Sequence, residues 1–314
     1  MSFSVEVKNE LARVTGDREC CHVAELASLM RMGGTMLIGG NKSIGVNFTT
    51  ENAAVARKVL TLIKKGFHLR TEVVVSRGRR LKKTNSYAVR VAPSQAVAQL
   101  LIRLGIMQGD SLNISQDTGV LKKACCRRSY LRGAFLGGGS VNKPAGDYHL
   151  ELVTGNQDFA KTLVRIMRAF RLSARMTDRK NDYIVYLKDG DTIISFLNII
   201  GAHQALMDFE SVRVIKDMRN QVNRLVNCET ANLQKTVNAA LRQVESIQHI
   251  ARTTGLHNLP ASLREAAEVR LSHPEATLSE LVEALDGRIS KSGMNHRLRK
   301  LEQLAADMTQ EGQL

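Results

Sequence analysis

An apolar run that closes on glycines, Leu26-Ala27-Ser28-Leu29-Met30-Arg31-Met32-Gly33-Gly34-Thr35, returns later as Leu131-Arg132-Gly133-Ala134-Phe135-Leu136-Gly137-Gly138-Gly139-Ser140. Each is preceded by a cysteine pair, Cys20-Cys21 and Cys125-Cys126, so the offset is a constant 105 residues. The pattern of the following stretches is also shared. Thr50-Glu51-Asn52 is answered by Thr154-Gly155-Asn156. Apolar positions at helical spacing come next, Val55, Val59, Leu62 and Ile63 against Phe159, Leu163, Ile166 and Met167. Phe67-His68-Leu69-Arg70 then faces Phe170-Arg171-Leu172-Ser173. Period-two alternation in Tyr87-Ala88-Val89-Arg90-Val91 and Tyr183-Ile184-Val185-Tyr186-Leu187 predicts strands. Apolar helices follow, ending at Leu104-Gly105 and Ile200-Gly201. The offset has fallen to 96 at Tyr183 against Tyr87, which places a longer hairpin in the first copy, around Ser76 to Ser86. Residues 1–108 and 109–208 therefore each predict α-β-β-α-β-β-α. A repeat of this length is a duplicated folding unit, not a solenoid. The expected class is α+β, with antiparallel sheets covered on one face.

After about Asp208 the alternation stops. Residues 209–229 form a basic linker, in which Arg213, Lys216, Arg219 and Arg224 surround Asp217. It reads either as a helix that contacts phosphates or joins domains, or as a charged spacer. An all-α domain is expected over 230–314. Leu233, Val237, Ala240, Leu241, Val244, Ile247 and Ile250 predict a helix from Thr230 to about Arg252, with Gly255 as its C-cap. Pro260 opens another helix, which stops before His273-Pro274. Thr277-x-x-Glu280 is a capping-box pattern, and Leu278, Leu281, Val282 and Leu285 make one apolar face. Asp286-Gly287 breaks that helix, and Met294, Leu298 and Leu301 mark a third. Two amphipathic helices across a short glycine-containing turn, over 275–304, predict a helix-turn-helix. The charges segregate accordingly. Glu275, Glu280, Glu283 and Asp286 lie before the turn, and Arg288, Lys291, Arg297, Arg299 and Lys300 after it. A helix that reads base edges needs small polar and basic groups near its N-terminal end, with cations close by for phosphates. Ser290, Lys291, Ser292, Asn295, His296, Arg297, Arg299 and Lys300 meet that demand.

The bulk numbers narrow the partner. In 314 residues, 45 Lys and Arg stand against 30 Asp and Glu, a formal charge of +15, with 4% aromatics and no Trp. Such a balance favours a polyanion, with nucleic acid first and an anionic membrane surface second; with the helix-turn-helix pattern, double-stranded DNA is the expected partner. No apolar run approaches the roughly 20 residues of a membrane span, and Met1-Ser2-Phe3-Ser4-Val5-Glu6 is not a signal sequence. A cytoplasmic, nucleoid-associated protein with reduced cysteines is expected. Cys20-Cys21-His22 invites a metal reading. Adjacent cysteines, however, lack the C-x₂₋₄-C spacing of a structural zinc site, and the second copy has Arg127 in place of the histidine. The pairs read as small buried hydrophobes, and neither a metal nor a cofactor is expected.

The glycine-closed runs resemble, in degenerate form, the LAGLIDADG motif of homing endonucleases. The resemblance implies that each motif is a helix, that two such helices pack at a pseudo-two-fold axis, and that antiparallel saddles on either side straddle DNA. Gly133 and Gly137, one turn apart, suit close packing; Ser28 and Met32 hold the matching places. The family's catalytic acid is the eighth of nine positions, which here is Gly33 and Gly138. The sixth is Arg31 and Leu136, and the nearby Glu25 and Asp147 have no counterparts in the other copy. Metal-assisted phosphodiester cleavage needs carboxylate oxygens there, so no catalytic residue is expected. Candidate phosphate contacts are Arg77, Arg79, Arg80, Lys82 and Lys83 on the long hairpin, with Lys122, Lys123, Arg127, Arg128 and Arg132 crowding the second motif.

Taken whole, the chain resembles the WhiA family of bacterial regulators, most specifically over Tyr130 to Val141 and over Arg219 to Asn232. That resemblance implies a degenerate homing-endonuclease domain followed by a helix-turn-helix domain. It also implies roles in sporulation transcription in some bacteria, and in cell division and chromosome segregation in others. The expectation is a non-enzymatic, sequence-specific DNA-binding transcriptional regulator. A scaffold for division or segregation proteins or other regulators, with incidental DNA affinity, is the alternative; a metal-dependent nuclease using other acids is a third.

Overall fold

The computed structural model describes residues 2–16, 18–40, 43–77, 85–109, 111–113 and 119–311. The chain divides into two compact units, Met1–Lys216 and Asp217–Leu314.

In the first unit, α1 (Phe3–Leu11) precedes the first copy. That copy runs α2 (Glu19–Gly33), β1 (Gly34–Ile38), β2 (Ile44–Thr50), α3 (Ala53–Phe67), β3 (Glu72–Arg77), β4 (Asn85–Val91) and α4 (Gln95–Arg103). A small hairpin of β5 (Met107–Gln108) and β6 (Ser111–Leu112) and a 3-10 turn at Gly119–Leu121 lead to the second copy. There α5 (Ala124–Gly138), β7 (Gly139–Val141), β8 (Leu150–Thr154), α6 (Gln157–Ala169), β9 (Arg175–Arg179), β10 (Asp182–Leu187) and α7 (Gly190–Ile200) repeat the order. The sheets are antiparallel with matching strand orders, β1-β2-β4-β3 and β7-β8-β10-β9. The α-β-β-α-β-β-α expectation holds in both copies; α1 and the β5–β6 hairpin are additions that periodicity did not signal.

The repeated Thr-x-Asn has a local cause. Asn52 Oδ1 accepts hydrogen bonds from the amides of Ala54 (2.8 Å) and Val55 (3.1 Å), and Thr50 Oγ1 accepts from the Asn52 amide (3.2 Å). Asn156 Oδ1 accepts from Phe159 N (2.9 Å), and Thr154 Oγ1 from Asn156 N (3.3 Å). Each strand thus hands over to its helix through the same N-cap. The β9–β10 hairpin closes on Lys180 and Asn181, both at positive φ (50° and 70°), as a two-residue turn matched to strand twist requires. Residues 78–84, between β3 and β4, lie outside the described residues, and the expected phosphate contacts Arg79, Arg80, Lys82 and Lys83 with them.

Helix α8 (His203–Thr253) is longer than the sequence pattern suggests. Residues 209–229, read as a linker, lie inside it, because no Gly or Pro interrupts 203–253. The division between the units falls within this helix. Of its predicted apolar face, Ala240, Ile247 and Ile250 are buried, while Leu233, Val237 and Leu241 are exposed.

The second unit continues with a 3-10 turn (Leu256–Asn258), α9 (Ala261–Ser272), α10 (Leu278–Glu283) and α11 (Lys291–Glu311). Its core joins Ile247 and Ile250 to Leu263, Ala266, Ala267, Leu281, Met294, Leu298 and Leu301. The capping box is complete: Thr277 N donates to Glu280 Oε2 (2.6 Å), and Glu280 N to Thr277 Oγ1 (3.4 Å). Asp286 and Gly287 take positive φ (54° and 70°) and turn the chain between α10 and α11. Arg270, 2% exposed, donates to the carbonyls of Ala276 (2.6 Å) and His273 (3.4 Å) and so ties down the loop before α10.

Candidate nucleic-acid interfaces

The two motif helices, α2 and α5, pack against each other at the centre of the first unit. Their approach is set by the small residues singled out in the sequence. A Cβ on Gly133 would lie 2.2 Å from Ser28 Oγ and 2.3 Å from the Glu25 carbonyl oxygen, and one on Gly137 would lie 2.5 Å from Met32 Cβ. At the helix ends, a Cβ on Gly138 would lie 2.7 Å from the Val153 carbonyl oxygen, and one on Gly33 would lie 3.1 Å from the Phe48 ring. Position 138 thus has no room for a carboxylate unless the backbone of β8 moves.

Of the two nearby acids, Asp147 is exposed, and Glu25 is paired with bases. Glu25 is fully buried between Arg132 Nη2 (2.9 Å) and Lys58 Nζ (3.3 Å). Arg132 also donates to Ser129 Oγ (3.1 Å) and the Ile200 carbonyl (3.4 Å), and Lys58 to the Val14 carbonyl. Burial holds Lys58 below the usual lysine range, with Arg132 adding to that and Glu25 opposing it. The triad joins α2, α3 and α5. It sets a cation against each Glu25 oxygen and turns Arg132, 6% exposed, into the interior. Arg31, at the sixth motif position, donates to the Gly105 carbonyl (2.6 Å).

Each sheet presents an open face opposite its helices, and register assigns side chains to it. In the first sheet Thr35, Asn47, Arg90 and Glu72 form one cross-strand row. Asn47 Oδ1 accepts from Arg90 Nε (3.3 Å), and Asn47 Nδ2 donates to Thr35 Oγ1 (3.4 Å). The equivalent row in the second sheet is Ser140, Glu151, Tyr186 and Arg175, in which Ser140 Oγ donates to Glu151 Oε1 (3.0 Å). All of β3 and β9 is exposed. Arg77, an expected phosphate contact, is exposed but shares the face of Val73 and Val75, not that of Glu72, Val74 and Ser76. Arg90, Arg175 and Arg179 are exposed open-face cations that the sequence reading passed over; alternate spacing from the buried Val89 and Val185 would have found them.

In the second unit, the residues proposed for α11 separate by face. Met294, Leu298 and Leu301 point into the core. Ser292, His296 and Arg299, spaced four and three residues apart, lie on the opposite face, flanked by Lys291 and Lys300; all five are exposed, and Asn295 is half-buried at the edge. Two predicted contacts have other work. Ser290 Oγ accepts from the Gly293 amide (3.1 Å) and so caps α11. Arg297 is turned toward α9, where Nη1 donates to Glu265 Oε2 (3.0 Å) and the Ser262 carbonyl (3.1 Å). Its position beside the core stripe accounts for this.

The structure also brings together residues that the sequence reading kept apart. Cys20 and Cys21 lie in the first turn of α2, and Cys125 and Cys126 in the first turn of α5. Their four sulfurs all lie within 4.8 Å of one another. Cys21 and Cys126 are buried, as small hydrophobes would be; Cys20 and Cys125 are half-buried. His22 is directed away, with Nε2 2.7 Å from the Gly16 carbonyl oxygen. Among the described residues, no helix is long and apolar enough to cross a membrane.

Comparison with known proteins covers nearly the whole chain. Three family models match in succession: the WhiA N-terminal LAGLIDADG-like domain over residues 19–107, the WhiA LAGLIDADG-like domain over 127–219, and the WhiA C-terminal HTH domain over 222–305. A probable cell division protein WhiA from Desulforamulus reducens is 52% identical over 309 residues, 97% of this chain and 95% of its own length. One of the same name from Heliobacterium modesticaldum is 50% identical over 313 residues, 99% of this chain and 98% of its own. The crystal structure of full-length DUF199/WhiA from Thermatoga maritima matches in fold with a TM-score of 0.58 at 24% identity, covering 98% of this chain and 99% of that one. A duplicated LAGLIDADG-like unit followed by a helix-turn-helix domain, with relatives half identical along its length, places the chain in the WhiA family.

Proposed function

We propose that the chain is a non-enzymatic, sequence-specific DNA-binding regulator that acts in cell division and chromosome segregation. The observation that carries this reading is the outward face of α11. Ser292, His296 and Arg299 project from the second helix of a helix-turn-helix, with Lys291 and Lys300 beside them, where a major groove would meet them. The open sheet faces supply a second cationic surface through Arg90, Arg175 and Arg179. The biological role rests on the relatives, which are named probable cell division proteins. The absence of nuclease chemistry rests on Gly33 and Gly138 at the eighth motif positions, on the lack of space at 138, and on the burial of Glu25 between two cations.

The test is a titration of DNA fragments, recovered by genome-wide occupancy mapping, across a salt series. Several phosphate contacts give a slope of about −0.9 per contact in log affinity against log salt. A flat profile would favour the scaffold reading. Reproducible cutting of the same fragments with Mg²⁺ or Mn²⁺ would overturn the non-enzymatic assignment.

A further inference from the structure

The cysteine quartet has the composition and the spacing of a thiolate metal site. Cys20, Cys21, Cys125 and Cys126 are two pairs far apart in sequence, yet every sulfur lies within 4.8 Å of the other three. In a tetrahedral Zn–S₄ site with bonds of about 2.3 Å, the sulfurs stand about 3.8 Å apart. The quartet is therefore at most about 1 Å wider than the bound geometry along any edge, a difference within reach of small side-chain rotations. A group this tight has space for one ion but not for the core of an iron–sulfur cluster. Four sulfur ligands select a soft, tetrahedral ion over magnesium or calcium.

The surroundings fit the charge such a site would carry. Four thiolates and a divalent cation sum to a net charge of −2. Both pairs occupy the first turn of a helix, where unsatisfied amides and the helix dipole favour negative charge. The residues that open the helices, Arg18 and Lys123, are both cationic. Cys20 and Cys125 are partly exposed, which leaves an ion a way in, while Cys21 and Cys126 are closed off. The 3-10 turn Gly119–Leu121 packs against both helices. His22 is held by Gly16, so the ligand set is four cysteines rather than three and a histidine.

We propose that Cys20, Cys21, Cys125 and Cys126 form a structural site for a single thiophilic divalent cation, zinc foremost, that clasps the two copies of the duplicated unit together at the start of their motif helices. Each copy contributes two ligands, so neither copy alone holds the ion.

The experiment uses the full-length chain, purified under reducing conditions without chelator from zinc-supplemented medium. Elemental analysis should find about one zinc per chain. Exchange with Co²⁺ should give the intense visible bands of a tetrahedral cobalt thiolate. The double variant Cys21→Ser/Cys126→Ser should lose the metal and the cobalt bands, while Cys228→Ser, at an exposed position in α8, should keep both. A strong chelator should lower the melting temperature, and added zinc should restore it. The proposal is overturned by wild-type protein that carries no stoichiometric metal and whose thiols all react freely. It is equally overturned by a quartet recovered as disulfides after reducing purification, or by a double variant that keeps its zinc. Should the double variant fail to fold, the single change Cys125→Ser at the half-exposed ligand and the wild-type cobalt spectrum decide the matter. A spectrum without thiolate character overturns the site.

Discussion

Adding one methyl group to Gly133 should have the opposite effect from adding it to Gly66, although both glycines lie within helices. Alanine is favoured over glycine in a helix by about 0.8–1.0 kcal/mol. At Gly66 in α3 a Cβ would meet nothing within 4 Å, so Gly66→Ala should stabilise by about 0.4–1 kcal/mol. At Gly133 the same Cβ would stand 2.3 Å from the Glu25 carbonyl oxygen and 2.2 Å from Ser28 Oγ. Ser28 can rotate, but the carbonyl belongs to the backbone of α2. Contacts between carbon and carbonyl oxygen settle at about 3.3–3.6 Å, so α2 and α5 must part by about 1 Å. Overpacking of this kind costs about 1–3 kcal/mol, and backbone against backbone belongs at the upper end. After the gain in helix propensity, Gly133→Ala should lose about 2 kcal/mol. Thermal unfolding of the two variants beside the parent is the assay. At about 2–4 °C per kcal/mol for a unit of this size, Gly133→Ala should fall by about 4–8 °C while Gly66→Ala rises slightly. A Gly133→Ala protein that melts with the parent, or above it, would refute the claim that close backbone approach sets this helix pair.

Glu25→Ala strands Lys58 and Arg132 as buried, uncompensated cations, and urea unfolding should register a loss of about 3–5 kcal/mol; a loss under about 1 kcal/mol would mean that water reaches the site. Arg299→Ala and Lys300→Ala should weaken DNA binding and each reduce the salt slope by roughly 0.9 per phosphate contact removed, whereas Arg297→Ala should act mainly on stability, because its guanidinium serves Glu265 and Ser262. Equal effects of all three on the salt slope, with no change in stability, would return Arg297 to the interface. Thr277→Ala removes the capping hydroxyl of α10 and should cost about 1 kcal/mol, read by chemical denaturation of the full chain; an unchanged midpoint would show that the Glu280 half of the box suffices.

How much of this was legible in the sequence depends on whether the determining interaction is local. Element order in both copies, the Thr277–Glu280 box and the Asp286-Gly287 turn are written within a few residues of one another, and each is found where the pattern puts it. The tight crossing at Gly133 was legible because the resemblance supplied the partner helix. Interactions between distant segments were not. Arg132 looks like one of a run of exposed cations until Glu25, from the other copy, is placed beside it. Arg297 looks like a groove contact until its direction on α11 sets it against Glu265. The stretch 209–229 read equally as a helix or as a charged spacer, and it is helical throughout, as the lack of Gly or Pro from 203 to 253 allows. The cysteines make the physical point most sharply. A spacing rule applied along one chain segment asks whether two ligands on the same stretch can reach one ion, and Cys20-Cys21 alone does not satisfy it. Duplication changes the question, because a pseudo-two-fold axis turns any pair near it into a quartet. The helix packing that buries Leu26, Leu29, Ala134 and Phe135 is the same packing that carries Cys125 and Cys126 to Cys20 and Cys21. In a duplicated chain, then, weak half-motifs close to the repeat's axis should be read in pairs before they are dismissed singly.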